Sequence, residues 1–117
     1  MATIPDKLSH EYLDIIHKYY PRLGSLLDLC YVKVIDCFIE RLGKRCYYIG
    51  IYCPDELVQS VYTHHRDLQE VAENMGLTDA VLLNAARIVR DPMSKLKTED
   101  PRLWLEIYWV ALQRFSL

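Results

Sequence analysis

Residues 30–53 read CYVKVIDCFIERLGKRCYYIGIYC, and the secondary structure of this stretch decides the fold of the chain. The stretch contains all four cysteines of the sequence: Cys30, Cys37, Cys46 and Cys53. Their spacings of seven, nine and seven residues mirror each other about the bond between residues 41 and 42. If the chain reverses direction near Leu42 and Gly43, each outer or inner cysteine faces its counterpart.

The first half of this stretch favours a helix that runs from Arg22 to Leu42. Apolar residues recur there at helical spacing on one face, while charged residues lie on another. A strand would place Lys33 and Asp36 on opposite faces of a sheet and break the alternation. Val34 and Ile35 raise the β propensity, but the charge pattern makes the helix the preferred prediction.

The second half, Arg45–Cys53, favours a strand because it is aromatic and β-branched and because Gly50 weakens a helix. A strand needs a partner. The segment from Tyr31 to Ile39 would supply one by forming a hairpin around Gly43–Lys44, and this hairpin is the main alternative architecture.

The rest of the chain is predicted to be helical. Proline, glycine and capping residues punctuate it, and they give helices over Ser9–Tyr20, over Pro54–Met75 with a stop at Gly76, over Thr78–Arg90, and from Thr98 or Asp100 to Phe115. The predicted fold is mainly α, a single domain over residues 1–117 built as a bundle of about five helices. A short β segment or hairpin near 31–53 stays open.

Composition narrows the classes of function. The net charge is −2, whereas dedicated nucleic-acid binders usually carry a basic excess. The N-terminal residues lack the apolar stretch of a signal peptide, and no apolar run approaches the roughly 18–20 residues of a membrane span. We therefore expect a cytoplasmic protein with no membrane partner, in which the thiols are reduced.

Association with another protein is the preferred function, because nine tyrosines and two tryptophans exceed the needs of a small helical core. Tyrosine and tryptophan are favoured at interfaces. The helix from Pro54 carries a four-three apolar seam, and the last helix carries aromatic residues. The predicted homo-oligomeric interface, which would serve a regulatory or interaction module, consists of Leu57, Val61, His64, Leu68, Val71, Met75, Trp104 and Tyr108.

Two alternative functions rest on other residues. Basic clusters at 41–45 and 87–97 would bind nucleic acid or a phosphate ligand, and the residues concerned are Arg41, Lys44, Arg45, Arg87 and Arg90. Cys53 precedes Pro54 at a predicted helix start, where the helix dipole would lower a thiol pKa. That placement suggests a redox sensor or a thiol-dependent enzyme.

No short catalytic motif occurs in the chain, so we expect a protein that is not an enzyme and that needs no cofactor. Structural zinc sites use cysteines two to four residues apart, and here none are closer than seven. No metal site is therefore predicted from the cysteines.

Overall fold

The computed structural model describes residues 3–39 and 43–113. Within these residues the chain forms seven α-helices, a short 3₁₀ helix and three strands. In chain order they are α1 (Ile4–Tyr19), α2 (Pro21–Leu27), β1 (Tyr31–Ile39), β2 (Lys44–Cys53), the 3₁₀ helix (Asp55–Leu57), α3 (Val58–Tyr62), α4 (His65–Asn74), β3 (Ala80–Asn84), α5 (Ala85–Arg90), α6 (Leu96–Glu99) and α7 (Pro101–Leu112).

The three strands form one sheet in the order β1-β2-β3, with β1 antiparallel to β2 and β3 parallel to it. The predicted helix over 22–42 is wrong beyond Leu27, because the chain turns there and continues as β1. Of the β-branched residues of β1, Val34 is buried and Val32 and Ile35 are partly buried. Its two charges are tolerated because β1 is an edge strand, on which Asp36 is exposed and accepts a hydrogen bond from Arg45 at 2.8 Å.

The hairpin between β1 and β2 confirms the alternative architecture. Its register pairs Tyr31 with Tyr52 and Cys37 with Cys46. The mirrored spacing of the inner cysteines therefore reflects the register of the hairpin, which places them opposite each other. The strand predicted at 45–53 is confirmed.

Helices cover both faces of the sheet. Val34, Ile49 and Ile51 are fully buried on one face, in a core that also contains Tyr12 and Ile16 of α1. On the other face, Tyr52 packs in a second core with Ala85, Ile107 and Val110, which come from α5 and α7. The chain is thus a mainly helical single globule, but a bundle of about five helices is not confirmed, because a sheet separates the helices into two layers.

Two helix boundaries differ from the prediction for identifiable reasons. The first helix begins at Ile4 rather than at Ser9, because Thr3 and Asp6 form a capping box with two hydrogen bonds of 3.2 Å. The helix predicted over 54–75 is interrupted at Thr63 and His64. It does end as predicted at Gly76, whose φ of 81° only glycine adopts readily.

The helix predicted over Thr78–Arg90 is wrong in its first half. Residues 80–84 form β3, and their apolar run pairs with Ile49–Cys53; such continuous runs are typical of parallel strands. The helix α5 starts only after Asn84, whose Oδ1 accepts a hydrogen bond from the Arg87 N–H at 3.2 Å.

Candidate functional site

The helix α7 is fixed to the sheet by one of its sides. Its start is capped by Asp100, whose carboxylate accepts a hydrogen bond from the Leu103 N–H at 3.2 Å, and Pro101 occupies the first turn. Ile107 and Val110 are buried against the second core. The predicted end of this helix at Phe115 lies outside the described residues.

The opposite side of α7 exposes four large apolar side chains. The exposed fractions are 52% for Leu105, 36% for Tyr108, 66% for Trp109 and 47% for Leu112. Positions i, i+3, i+4 and i+7 lie on one face of a helix. We call these four residues the α7 outer face.

Trp104 flanks the α7 outer face and holds one of its rings in place. Its indole stacks on the Tyr108 ring, with 5.1 Å between centroids and an interplanar angle of 15°. The Lys97 ammonium lies 5.0 Å from the centroid of the indole, on its face. A stacked aromatic pair with a cation above it is a favourable arrangement that limits the rotamers of both rings.

The predicted interface residues are divided between the interior and the surface. Four residues of the seam are buried in the core: Leu57, Val61, Leu68 and Val71. His64 and Met75 are partly buried, as is Trp104, and Tyr108 is exposed. The structure therefore does not bring these residues together on one surface. The predicted interface did not include Leu105, Trp109 and Leu112. The signal that could have indicated them is that α7 is apolar on both sides.

The basic residues predicted to bind nucleic acid are not gathered into one patch. Arg45 lies at the beginning of β2. Arg87 and Arg90 lie on α5, which directly follows β3, and the last residue of β3 pairs with the last residue of β2. The eight-residue step along β2 from Arg45 to Cys53 spans roughly 26 Å. Arg41 lies outside the described residues. Arg45 is also neutralised by Asp36, so a continuous basic surface is not formed by the residues described.

The placement of Cys53 differs from the prediction. It belongs to β2, the 3₁₀ helix begins two residues later, and its side chain is fully buried. Its thiol lies 3.7 Å from the Ile51 carbonyl oxygen. A hydrogen bond with Cys53, together with burial, raises the pKa of the Cys30 thiol well above its usual range. Cys53 is therefore a buried strand residue and does not lie at the N-terminus of a helix.

Neither a metal centre nor a membrane span is found among the described residues. No group of three or more histidine, cysteine or acidic side chains is placed to hold a metal ion. The His17 imidazole shares a 2.8 Å hydrogen bond with the Asp28 carboxylate. In the same part of the chain, no helix has the length and apolar character needed to cross a bilayer.

Comparisons with known proteins identify no relative. No family model matches the sequence, and neither the curated proteins nor the solved structures contain a significant match.

Proposed function

We propose that the chain is a small protein-interaction module that self-associates through the α7 outer face. The observation that carries this proposal is the exposure of Leu105, Tyr108, Trp109 and Leu112 on one side of one helix. Most apolar residues on a protein surface are scattered singly, whereas a contiguous apolar patch usually marks an interaction site. Tryptophan and tyrosine are also enriched among the few residues that contribute most of the binding energy at interfaces.

The order of residues in the α7 outer face supports a second copy of the chain as the partner. The pattern Leu-x-x-Tyr-Trp-x-x-Leu over 105–112 is symmetric about the bond between residues 108 and 109. When two antiparallel copies of α7 are related by a two-fold axis at that bond, Leu105 faces Leu112 of the partner subunit. Tyr108 then faces Trp109 of the partner subunit. A self-complementary patch of this kind is what a two-fold homodimer interface requires.

Sedimentation velocity over a range of protein concentrations tests this proposal. The wild-type chain is expected to form dimers, and Trp109→Glu is expected to weaken dimerisation roughly tenfold or more, because a carboxylate would be buried without a partner. Met93→Glu is the matched control, since Met93 is 83% exposed and lies outside α7. It should dimerise like the wild type.

Two outcomes would reject the proposal. One is a wild-type chain that stays monomeric at all accessible concentrations. The other is equal dimerisation of the wild type and Trp109→Glu, which would place the interface elsewhere. Far-ultraviolet circular dichroism of each variant separates loss of association from loss of folding.

A further inference from the structure

Cys37 and Cys46 are directly opposite each other on β1 and β2, near the beginning of β2. Cys37 is exposed and Cys46 is partly exposed, and both are free thiols. This is a pair of thiols at one site on the surface. We call it the inner cysteine pair.

The hydrogen-bonding pattern of the sheet fixes the distance between the two backbones. The Val34 N–H points away from β2, because it donates to Ser9 Oγ at 2.7 Å. The Ile49 N–H points towards the β3 side, where it donates to the Asp79 carbonyl at 2.9 Å. Val34 and Ile49 are paired, so theirs is a non-hydrogen-bonded site. Because sites alternate along an antiparallel ladder, the inner cysteine pair occupies a hydrogen-bonded site.

At such a site the Cα atoms are about 5.5 Å apart, and a disulfide accepts Cα separations of about 4.4–6.8 Å. The backbone therefore allows a bond between Cys37 and Cys46. The Cβ atoms, however, are about 5.5 Å apart at a hydrogen-bonded site and about 3.8 Å apart in a disulfide. Closing the bond must draw the strands together locally, and strained, exposed disulfides are the ones that are readily reduced again.

A small molecule can reach the inner cysteine pair. The pair lines an open pocket of about 340 Å³, and the other residues that line it are Tyr48, Thr78, Asp79, Val81 and Leu83. Partial burial and, to a lesser extent, the nearby Cys37 raise the pKa of the Tyr48 hydroxyl. The pocket is thus a partly apolar recess with two thiols in its wall.

We propose that Cys37 and Cys46 form a reversible disulfide by exchange with a low-molecular-mass disulfide of the glutathione type. One cysteine thiolate attacks the small disulfide, breaks its S–S bond, and releases one small thiolate. The second cysteine thiolate then attacks the protein sulfur of the mixed disulfide and releases the other. Two protein thiols are oxidised, one small disulfide is reduced to two thiols, and the two protons lost by the cysteines are taken up by the released thiolates.

The outer cysteines provide an internal comparison. Cys53 is fully buried, so its sulfur is not accessible. Cys30 is partly buried, and a hydrogen bond with Cys53 and burial raise the pKa of its thiol, which lowers its reactivity. The folded chain should therefore exchange at Cys37 and Cys46 while Cys30 and Cys53 stay reduced. This inference does not depend on self-association through α7.

Treatment of the folded wild-type chain with oxidised glutathione, followed by mass spectrometry, tests the proposal. The expected product has lost two hydrogens and carries no glutathione, and dithiothreitol restores the original mass. Trypsin cleaves at Arg41, Lys44 and Arg45, and chymotrypsin cleaves after Tyr52, so the digest separates Cys46 from Cys53. It should contain one linked pair of peptides, joined by Cys37 and Cys46.

The variants Cys37→Ser and Cys46→Ser sharpen the test. Each removes the thiol that resolves the mixed disulfide, so each should retain one glutathione on the remaining inner cysteine. The proposal is overturned if the wild type keeps separate glutathione adducts on Cys37 and Cys46, if it stays unmodified while the denatured chain reacts, or if the linked peptides contain Cys30 or Cys53. The mapping of the wild type holds even where a variant fails to fold.

Discussion

Ser9 is a single polar side chain that joins two elements of the fold. Ser9 lies within α1. Its hydroxyl donates a hydrogen bond to the Pro5 carbonyl at 2.8 Å and accepts one from the Val34 N–H at 2.7 Å. Val34 is fully buried on an edge strand, so its N–H has no strand on that side to pair with. The serine hydroxyl takes the place of the missing strand and thereby protects the edge.

Ser9→Ala should lower the free energy of unfolding by about 1–3 kcal/mol, because the Val34 N–H loses its acceptor in a partly buried place. Ser25→Ala is the matched control: the Ser25 hydroxyl makes the same bond to the carbonyl four residues earlier, at 3.1 Å, and is exposed. It should change the free energy by no more than about 0.5 kcal/mol. Urea denaturation of both variants measures the difference, and equal effects would show that the bond to Val34 contributes nothing.

Ser9 also has a role that the pattern of neighbouring residues does not reveal. The sequence identified a serine near the start of the first helix, and capping is the commonest role for a serine there. The actual acceptor role involves a residue 25 positions away. Only the folded sheet places that N–H beside the hydroxyl, so local sequence could not predict it.

At the scale of elements, the hairpin was predictable as an alternative but not as the preferred structure. A short apolar segment can fit both the helical and the strand periodicity, and the positions of Lys33 and Asp36 favoured the prediction of a helix. The deciding contacts are with β2, which supplies cross-strand neighbours along all of β1. β3 was missed for the same reason, since a short apolar run is decided by the strand it pairs with.

The crossing of α1 and α2 depends on one glycine. Gly24 is buried in α2, and a Cβ atom there would lie 2.5 Å from His17 Nδ1. The His17 ring is held in that place by its 2.8 Å hydrogen bond with the Asp28 carboxylate. Glycine is otherwise unfavourable in a helix, but at this position it leaves room for the imidazole.

A double-mutant cycle tests this packing. Gly24→Ala alone should lower the free energy of unfolding by about 1 kcal/mol, because the methyl group displaces the imidazole and breaks its exposed hydrogen bond with Asp28. In a His17→Ala background the same change should raise it by about 0.5–1 kcal/mol, because alanine favours a helix over glycine. Thermal denaturation of the four proteins measures both effects. The same sign in both backgrounds would exclude the steric explanation.

For the whole molecule, the sheet determines which side of α7 is free. The sequence predicted Trp104 and Tyr108 as interface residues, yet α7 is apolar on nearly every side, so no pattern within it separates core from surface. The sheet settles the matter by packing against Ile107 and Val110. The α7 outer face is therefore exposed because the sheet, whose first two strands are far away in the sequence, packs against the other side of the helix.

The two sides of α7 should respond differently to the same kind of truncation. Ile107 is fully buried between α7 and the sheet, so Ile107→Ala should lower the free energy of unfolding by about 2–5 kcal/mol at every protein concentration. Leu105 is 52% exposed, so Leu105→Ala should change the stability of the monomer by about 0.5 kcal/mol or less.

If the chain dimerises through the α7 outer face, however, the wild-type melting temperature must rise with protein concentration, because association stabilises the folded state by mass action. Calorimetry at two concentrations should therefore show this rise in the wild type and in Met93→Glu, and a smaller rise in Leu105→Ala. A rise of equal size in Leu105→Ala would mean that this face of the helix is not what holds two copies together.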